Sequence, residues 1–415
     1  MPNTERRTPD TVLIRGTAGE AALRTMRLRG MPVRLTGYAA ESVTNRRFEG
    51  TEVSQLKRFY LPSSLAPLYD GPAVETREFI EDDNRAAILP DPVATLDGMD
   101  FYLSVKGVGS TVDPYSWRPL DRSYASELVG DPDIGRKLQS AATDAPDRII
   151  TGELWLRGSP YGGQGWEHAT NALRVSERAD LTNLNGFRIA PVVQVCFLPV
   201  ELQERLRQIY WYRRYPGRMV QELRLVPSNV RLYFHSKTTV GNDITHLFDQ
   251  FSVRTSAQAL TFEVNYLRTT VAMLTLFART LVREGADGPY RGLDFHDVWL
   301  DKDAVLAPDG SVYFVDLEGI EEVAVSRSQV IERIEDQIYR TLYELTFAYE
   351  QIERERARRF GTSSARRSHF ESVLRAALRD DPFVRLGGGG AFLEMEIRNN
   401  CQEEALLTRF RMLDG

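Results

Sequence analysis

The spacing of apolar and polar positions divides the chain near residue 200. Before it, short runs with β character dominate: Phe101 to Val105, Ile149 to Leu156 and Ile189 to Pro199 read as strands. One segment among them, Ala172 to Leu184, has helical spacing. Residues 1–79 alternate arginine-rich and apolar stretches, which predicts an N-terminal extension packed on the strand-rich lobe at 80–200. Past residue 200 the apolar period lengthens to three and four. A helix is predicted to open after Pro199, and a long one to span 255–285. Val330, Ile331, Ile334, Ile338, Leu342 and Leu345 mark the inner stripe of another helix whose outer face is charged. Ser363 caps a further helix to Asp381, and Gly387–Gly390 break the chain before a last one. The pattern predicts an α+β chain: a small strand-rich lobe with one crossing helix, then a helical lobe over 201–415.

Within the second lobe, Gly292 to Gly319 departs from helical spacing. It reads as a short loop and then a hairpin through Asp309-Gly310, whose second strand, Val312 to Val315, delivers Asp316 at its end. Asp303 stands just before the first strand. Two oxygen ligands brought together in this way are how kinase-like folds hold the metal that bridges nucleotide phosphates; a solvated hairpin with acidic ends would look the same. Two other segments carry candidate chemistry. Lys106 closes a strand-like run and is followed by Gly107 and Gly109, a pattern that suits close approach of a phosphate and equally a plain strand exit. Arg224 and Arg231 flank Val226-Pro227-Ser228 inside a β-rich apolar run, where a guanidinium needs either a neighbouring carboxylate or a bound anion.

Taken in order, these segments resemble the selenoprotein-O-like pseudokinases, which transfer AMP from ATP onto protein hydroxyls. Lys106-Gly107-Val108-Gly109-Ser110-Thr111 is similar to that family's K-G-x-G-x-T stretch, and Arg224-Leu225-Val226-Pro227-Ser228-Asn229-Val230-Arg231 to its R-V-A-P-S-x-x-R stretch. The run from His296 to Asp303 is similar to its H-G-V-M-N-T-D-N loop. Asp82 to Leu89 and Asn185 to Pro191 resemble its G-D-G-R-A stretch and its turn after helix C. The likeness covers roughly residues 80–320. It implies a protein-kinase-like two-lobed fold in which Lys106, Gly107, Gly109, Arg224 and Arg231 bind ATP, with Glu177 or Glu167 orienting Lys106. Asp303 and Asp316 would hold Mg2+ or Mn2+, and His296 would support the catalytic loop. The nucleotide would lie flipped, presenting its α-phosphate to a Ser, Thr or Tyr hydroxyl of a protein or peptide acceptor. Where the family has an Asp-Asn pair, this chain has Lys302-Asp303, so Asp301 or Asp297 becomes the candidate base and Lys302 a candidate for neutralising phosphate charge. About forty residues, 117–158, are inserted between Lys106 and the presumed helix C, and the glycine cluster at 160–166 follows them.

Composition narrows the partners. The chain has 415 residues, 42% of them hydrophobic and 10% aromatic, as a folded two-lobed domain requires. A net charge of −6 indicates neither a nucleic-acid nor an anionic-membrane partner. The arginines of Arg354 to Arg359 are interleaved with glutamate and read as a solvated helix face. Two cysteines, Cys196 in an apolar run and Cys401, suit a reducing cytoplasm. The first ten residues lack the apolar core of a secretory signal, and no apolar stretch is long enough to span a bilayer. There is no G-x-x-x-x-G-K-[ST] loop, no H-E-x-x-H pair and no G-x-S-x-G elbow, so a Walker-type ATPase, a zinc hydrolase of that class and a serine hydrolase are not indicated.

Overall fold

The computed structural model describes, in the main, residues 32–108, 164–231, 247–295 and 303–326, with short gaps inside these ranges, and helical pieces between 329 and 376. The insertion at 117–158, the glycines of the cluster at 162–163, most of the predicted helices beyond residue 330 and the Gly387–Gly390 break lie outside the described residues. The chain forms two compact units: residues 1–177 with 191–229, and residues 178–190 with 230–415.

The first unit is built on one antiparallel nine-stranded sheet. Its strands are β1 (Pro32–Ala39), β2 (Ser42–Thr44), β3 (Arg58–Pro62), β4 (Ala73–Asp82), β5 (Ala86–Leu96), β6 (Met99–Lys106), β7 (Gln164–Gly165), β8 (Val192–Phe197) and β9 (Met219–Val226). They run in the order β2-β8-β9-β6-β5-β4-β1-β3, with β7 also paired to β9. The stretch expected to be an extension thus supplies three full members of the sheet. Strand β9 lies between β8 and β6, in the middle of the sheet, and every one of its residues is buried. A strand buried on both faces shows no period of two, so its sequence does not announce which lobe it joins. The helix Trp166–Glu177 lays Ala169, Ala172, Leu173 and Val175 against β8 and β9. Its two buried alanines leave room for the helix to approach the sheet closely.

Two buried amides close gaps that the ladders leave. Gln221 on β9 accepts a hydrogen bond from Tyr60 N (2.7 Å), and its Nε2 donates to Tyr60 O (2.7 Å) and Gly107 O (3.2 Å). The side chain thereby imitates a peptide group for β3, an end strand of the sheet. Gln194 on β8 does the same work nearby, accepting from Lys57 N at 3.1 Å and donating to Ser54 O. An unpaired backbone polar group buried here would cost about 1–3 kcal/mol, so Gln221 holds the end strand β3 while Gln194 holds the short helical turn at Val53–Gln55 and the residue before β3.

The second unit packs two antiparallel pieces on helices. The long helix Ser256–Leu274 is followed by Leu276–Thr280, and the chain then enters β10 (Val282–Arg283), so the predicted helix stops short of residue 285. Strand β10 pairs with β11 (Tyr290–Phe295), and β11 with β14 (Ile320–Val325). Gly292 to Phe295, expected as loop, is therefore strand. Gly292 is needed there because a Cβ would meet the Phe277 ring at 2.9 Å. A separate hairpin joins β12 (Ala304–Leu306) to β13 (Val312–Phe314). Phe248, Phe262, Tyr266, Phe277 and Phe314 form the aromatic core of this unit.

One expectation about charge is corrected in this unit. Glu355 and Arg356, read as part of a solvated face, are buried. Arg356 Nε donates to Glu263 Oε1 at 3.0 Å, and His369 Nε2 lies 2.8 Å from Glu263 Oε2, so the fully buried Glu263 of the long helix draws the Arg356 guanidinium inward. No helix among the described residues is long and apolar enough to cross a membrane.

Candidate functional site

On the first unit the candidate chemistry sits on one face of the central sheet. Directly opposed residues of an antiparallel pair share a face, and β6 meets β9 with Ser104 opposite Arg224 and Lys106 opposite Glu222. Lys106 is 6% exposed, Arg224 4% and Glu222 0%. Arg224 Nε donates to Glu222 Oε1 at 2.6 Å, and Gln164 Nε2 to Glu222 Oε2 at 3.0 Å. Both carboxylate oxygens are thus engaged. Gln164 reaches this face because β7 pairs with β9 at Val220, two residues before Glu222. Gly107 turns the chain after Lys106 with φ +95°, a conformation that favours glycine, and Gln221 pins its carbonyl.

Of the two helix carboxylates considered for Lys106, Glu177 ends its helix with Oε1 accepting from Arg46 N at 3.0 Å, and Glu167 is exposed in the first turn. The carboxylate opposite Lys106 is Glu222, which the sequence reading passed over. Its signal was present: Glu222 and Arg224 are charged residues two apart in an apolar strand, hence on one face.

On the second unit the hairpin does what its turn residues predict. Asp309 accepts hydrogen bonds from Ser311 N (2.9 Å) and Ser311 Oγ (3.0 Å), and Gly310 takes φ +91°. The long helix clamps the hairpin through Asn265 Nδ2 to Asp309 O (3.0 Å) and Val312 N to Thr269 Oγ1 (2.9 Å). The register pairs Ala304 with Phe314, and Val315 N donates to Asp303 O at 2.8 Å. Asp303 and Asp316 therefore emerge at the same end of the hairpin. Asp303 is 3% exposed, while Asp316 is half-buried at the start of a tight turn closed by Gly319 N to Asp316 O at 3.0 Å.

Neighbouring backbone extends the hairpin on both sides. Arg231 bridges Val305 and Ile189 bridges Phe314. Arg224 and Arg231, neighbours in one sequence motif, are thus held by different units, the first on β9 and the second beside β12. Asp294 on β11 adds a buried carboxylate that the sequence reading did not select; its Oδ2 accepts from Arg333 Nη1 at 2.5 Å. Gly109, His296, Asp297, Asp301 and Lys302 lie outside the described residues.

The donor set at the hairpin end suits a hard divalent cation. Two carboxylates offer oxygen ligands only, and Mg2+ or Mn2+ keeps waters and substrate phosphates in its remaining positions. Among the described residues no group of three or more His, Cys, Asp or Glu could hold a metal. Asp303 and Asp316 would supply two oxygen ligands to such a cation.

The fold and these residues define a mixed α/β protein with a sheet-rich unit carrying a buried cationic face and a second unit presenting two carboxylates on one hairpin. No family model matches the chain, and no curated protein matches it. Among solved structures it is similar to one described as the crystal structure of a Toxoplasma gondii specific rhoptry antigen kinase domain, at 12% identity over 94% of this chain and 89% of that one, with a TM-score of 0.27. A TM-score at that level does not define the fold.

Proposed function

We propose that this chain is an ATP-dependent nucleotidyltransferase of protein-kinase-like fold that moves AMP onto a hydroxyl of a protein acceptor. The observation that carries the reading is the pairing of Ala304 with Phe314, which sets Asp303 and Asp316 at one end of the hairpin. Asp303 and Asp316 would hold Mg2+ or Mn2+, which when bound neutralises phosphate charge. Lys106 and Arg224 supply cations for the phosphates from a face where burial strengthens electrostatic attraction. In the reaction the acceptor oxygen bonds to the α-phosphorus, the bond from that phosphorus to the α,β-bridging oxygen breaks, and pyrophosphate leaves. The hydroxyl proton passes to a carboxylate, for which the sequence offers Asp301. Catalysis of this kind is positioning plus charge neutralisation, so it needs few reactive side chains.

The test is transfer of label from ATP carrying it at either the α or the γ position, in a lysate supplemented with Mg2+ or Mn2+, with Asp316→Ala alongside. Protein labelled from the α position only, and lost in the variant, is the expected result. Label from the γ position would instead make the chain a phosphotransferase. Label on no protein from either position would leave a transferase acting on a small molecule or a non-catalytic nucleotide-binding pseudokinase.

A further inference from the structure

Strand β14 ends the three-stranded sheet of the second unit. That sheet runs β10-β11-β14, so β14 is bonded through one edge only, to β11. Its other edge, from Glu321 to Val325, has no strand neighbour among the described residues. At the far side of the sheet β10 is two residues long, whereas β14 has six. Long open edges are commonly blunted by proline, a bulge or lysine. Strand β14 contains neither proline nor lysine, and its register against β11 is unbroken.

The charges this edge carries are all negative. Glu321 and Glu322 are both exposed. Glu321 stands directly opposite Asp294 in the ladder, and like charges so opposed cost stability. Arg333 bonds Asp294 at 2.5 Å, but no cation among the described residues pairs with Glu321. Glu322, its side chain 52% exposed, lies 3.6 Å from Arg178 Nη1 and 3.5 Å from Arg291 Nη1, both long contacts. The edge therefore favours a cation from outside, and a second copy of the same acidic edge would repel it. It also begins directly after the turn Leu317–Gly319 that follows Asp316.

We propose that the outer edge of β14 takes an extended, basic segment of the acceptor protein as an added strand, which leads the acceptor hydroxyl toward Asp316. The inference rests on the transferase reading above and gives its acceptor a chemistry. In strand addition the main-chain hydrogen bonds supply affinity and alternate side chains supply specificity. The residue paired with Glu321 is lysine or arginine. The residue paired with the half-buried Val323 is apolar.

The experiment measures binding of a fluorescent peptide that alternates arginine with valine and carries a threonine at each end. Two further versions are N-methylated on alternate amides, one set for each edge of the peptide. The full chain should bind the parent peptide and only one of the methylated versions, because an added strand bonds through one edge. Glu321→Lys should weaken binding about 2- to 30-fold, since one attractive cross-strand pair becomes a repulsive one. Val282→Lys, at a position 65% exposed on β10, should leave it unchanged. Both substitutions are at the surface and leave the core intact. No binding by the full chain, equal binding by Glu321→Lys, or equal tolerance of the two methylated peptides would overturn strand addition and leave the transferase reading to its own test. The peptide is then offered with ATP labelled at the α position. Binding with the expected signatures, but α label on neither the peptide nor any lysate protein, would refute the transferase reading and leave β14 as a peptide-binding edge.

Discussion

Replacing Gly310 by alanine should unseat the acidic hairpin from the long helix. Two costs add at this position. Its φ of +91° lies where an L side chain is strained, worth about 1–2 kcal/mol. A Cβ there would also stand 2.3 Å from Phe262 O and 2.7 Å from Phe262 Cα, atoms of helix backbone that cannot rotate aside. Overpacking of this kind costs about 1–3 kcal/mol or more, so the total is about 2–5 kcal/mol. Gly361 separates the two costs. It has φ +90° and closes a helix through its N–H to Ala357 O, yet an added Cβ would meet nothing within 4 Å. Gly361→Ala should therefore cost only the conformational part. Urea unfolding would compare the two variants, and amide exchange at Val312, whose N–H bonds Thr269, would report the hairpin directly. Gly310→Ala should lose that protection and bind Mn2+ more weakly than Gly361→Ala. Equal stabilities, or an unchanged Val312 amide, would refute the close approach of turn and helix.

Gln221→Leu should lower stability by about 2–4 kcal/mol, because it strips both the N–H and the C=O of Tyr60 of their partner; an unchanged urea midpoint would show that the amide is dispensable. In a Cys401→Ser background, Cys196 should resist iodoacetamide near neutral pH and react only on unfolding, since burial pushes its thiol up to about 12. Rapid labelling of the native protein would contradict that burial. For Glu75, burial alone would raise the carboxyl, but hydrogen bonds from Tyr60 and Arg58 and the charges of Arg77 and Arg58 outweigh it and hold it below its ordinary 4.5. Its stabilisation is therefore present above that value and lost as pH falls through the depressed one. Urea midpoints of the parent and Glu75→Gln should differ most above about pH 4.5 and converge in acid; a gap independent of pH would exclude the carboxylate as its cause.

The hairpin was legible because its signal is local. Asp309-Gly310 supplies the turn, and apolar residues on either side supply the strands, so the register that puts Asp303 and Asp316 at one end of the hairpin follows from counting outward. Strand β9 was not legible in the same way. Met219 to Val226 is buried throughout, and its partners lie far off in β6 and β8, so nothing near it in sequence says where it belongs. Glu222 carried a local signal in its spacing from Arg224, but its position opposite Lys106 comes only from the ladder. The run from Arg354 to Arg359 has the composition of a solvated face; what reverses the expectation for Arg356 is Glu263, on a different helix. Gln194 and Gln221 carry no sequence signal at all, because an amide that replaces a backbone partner looks like any other glutamine.

The order in which strands pair also governs how this protein can be made. Strand β2 needs Gln194 to Cys196, and Tyr60 needs Gln221. Those partners leave the ribosome well over a hundred residues later, after a helix and an excursion through residues 178–190 that belongs to the other unit. The nascent chain therefore carries unpaired sheet edges for much of synthesis, at about 5–20 residues per second. A fragment ending before Met219 would expose the flanks of β6 and β8 together. Such fragments should aggregate, and ones extending past Asn229 should not.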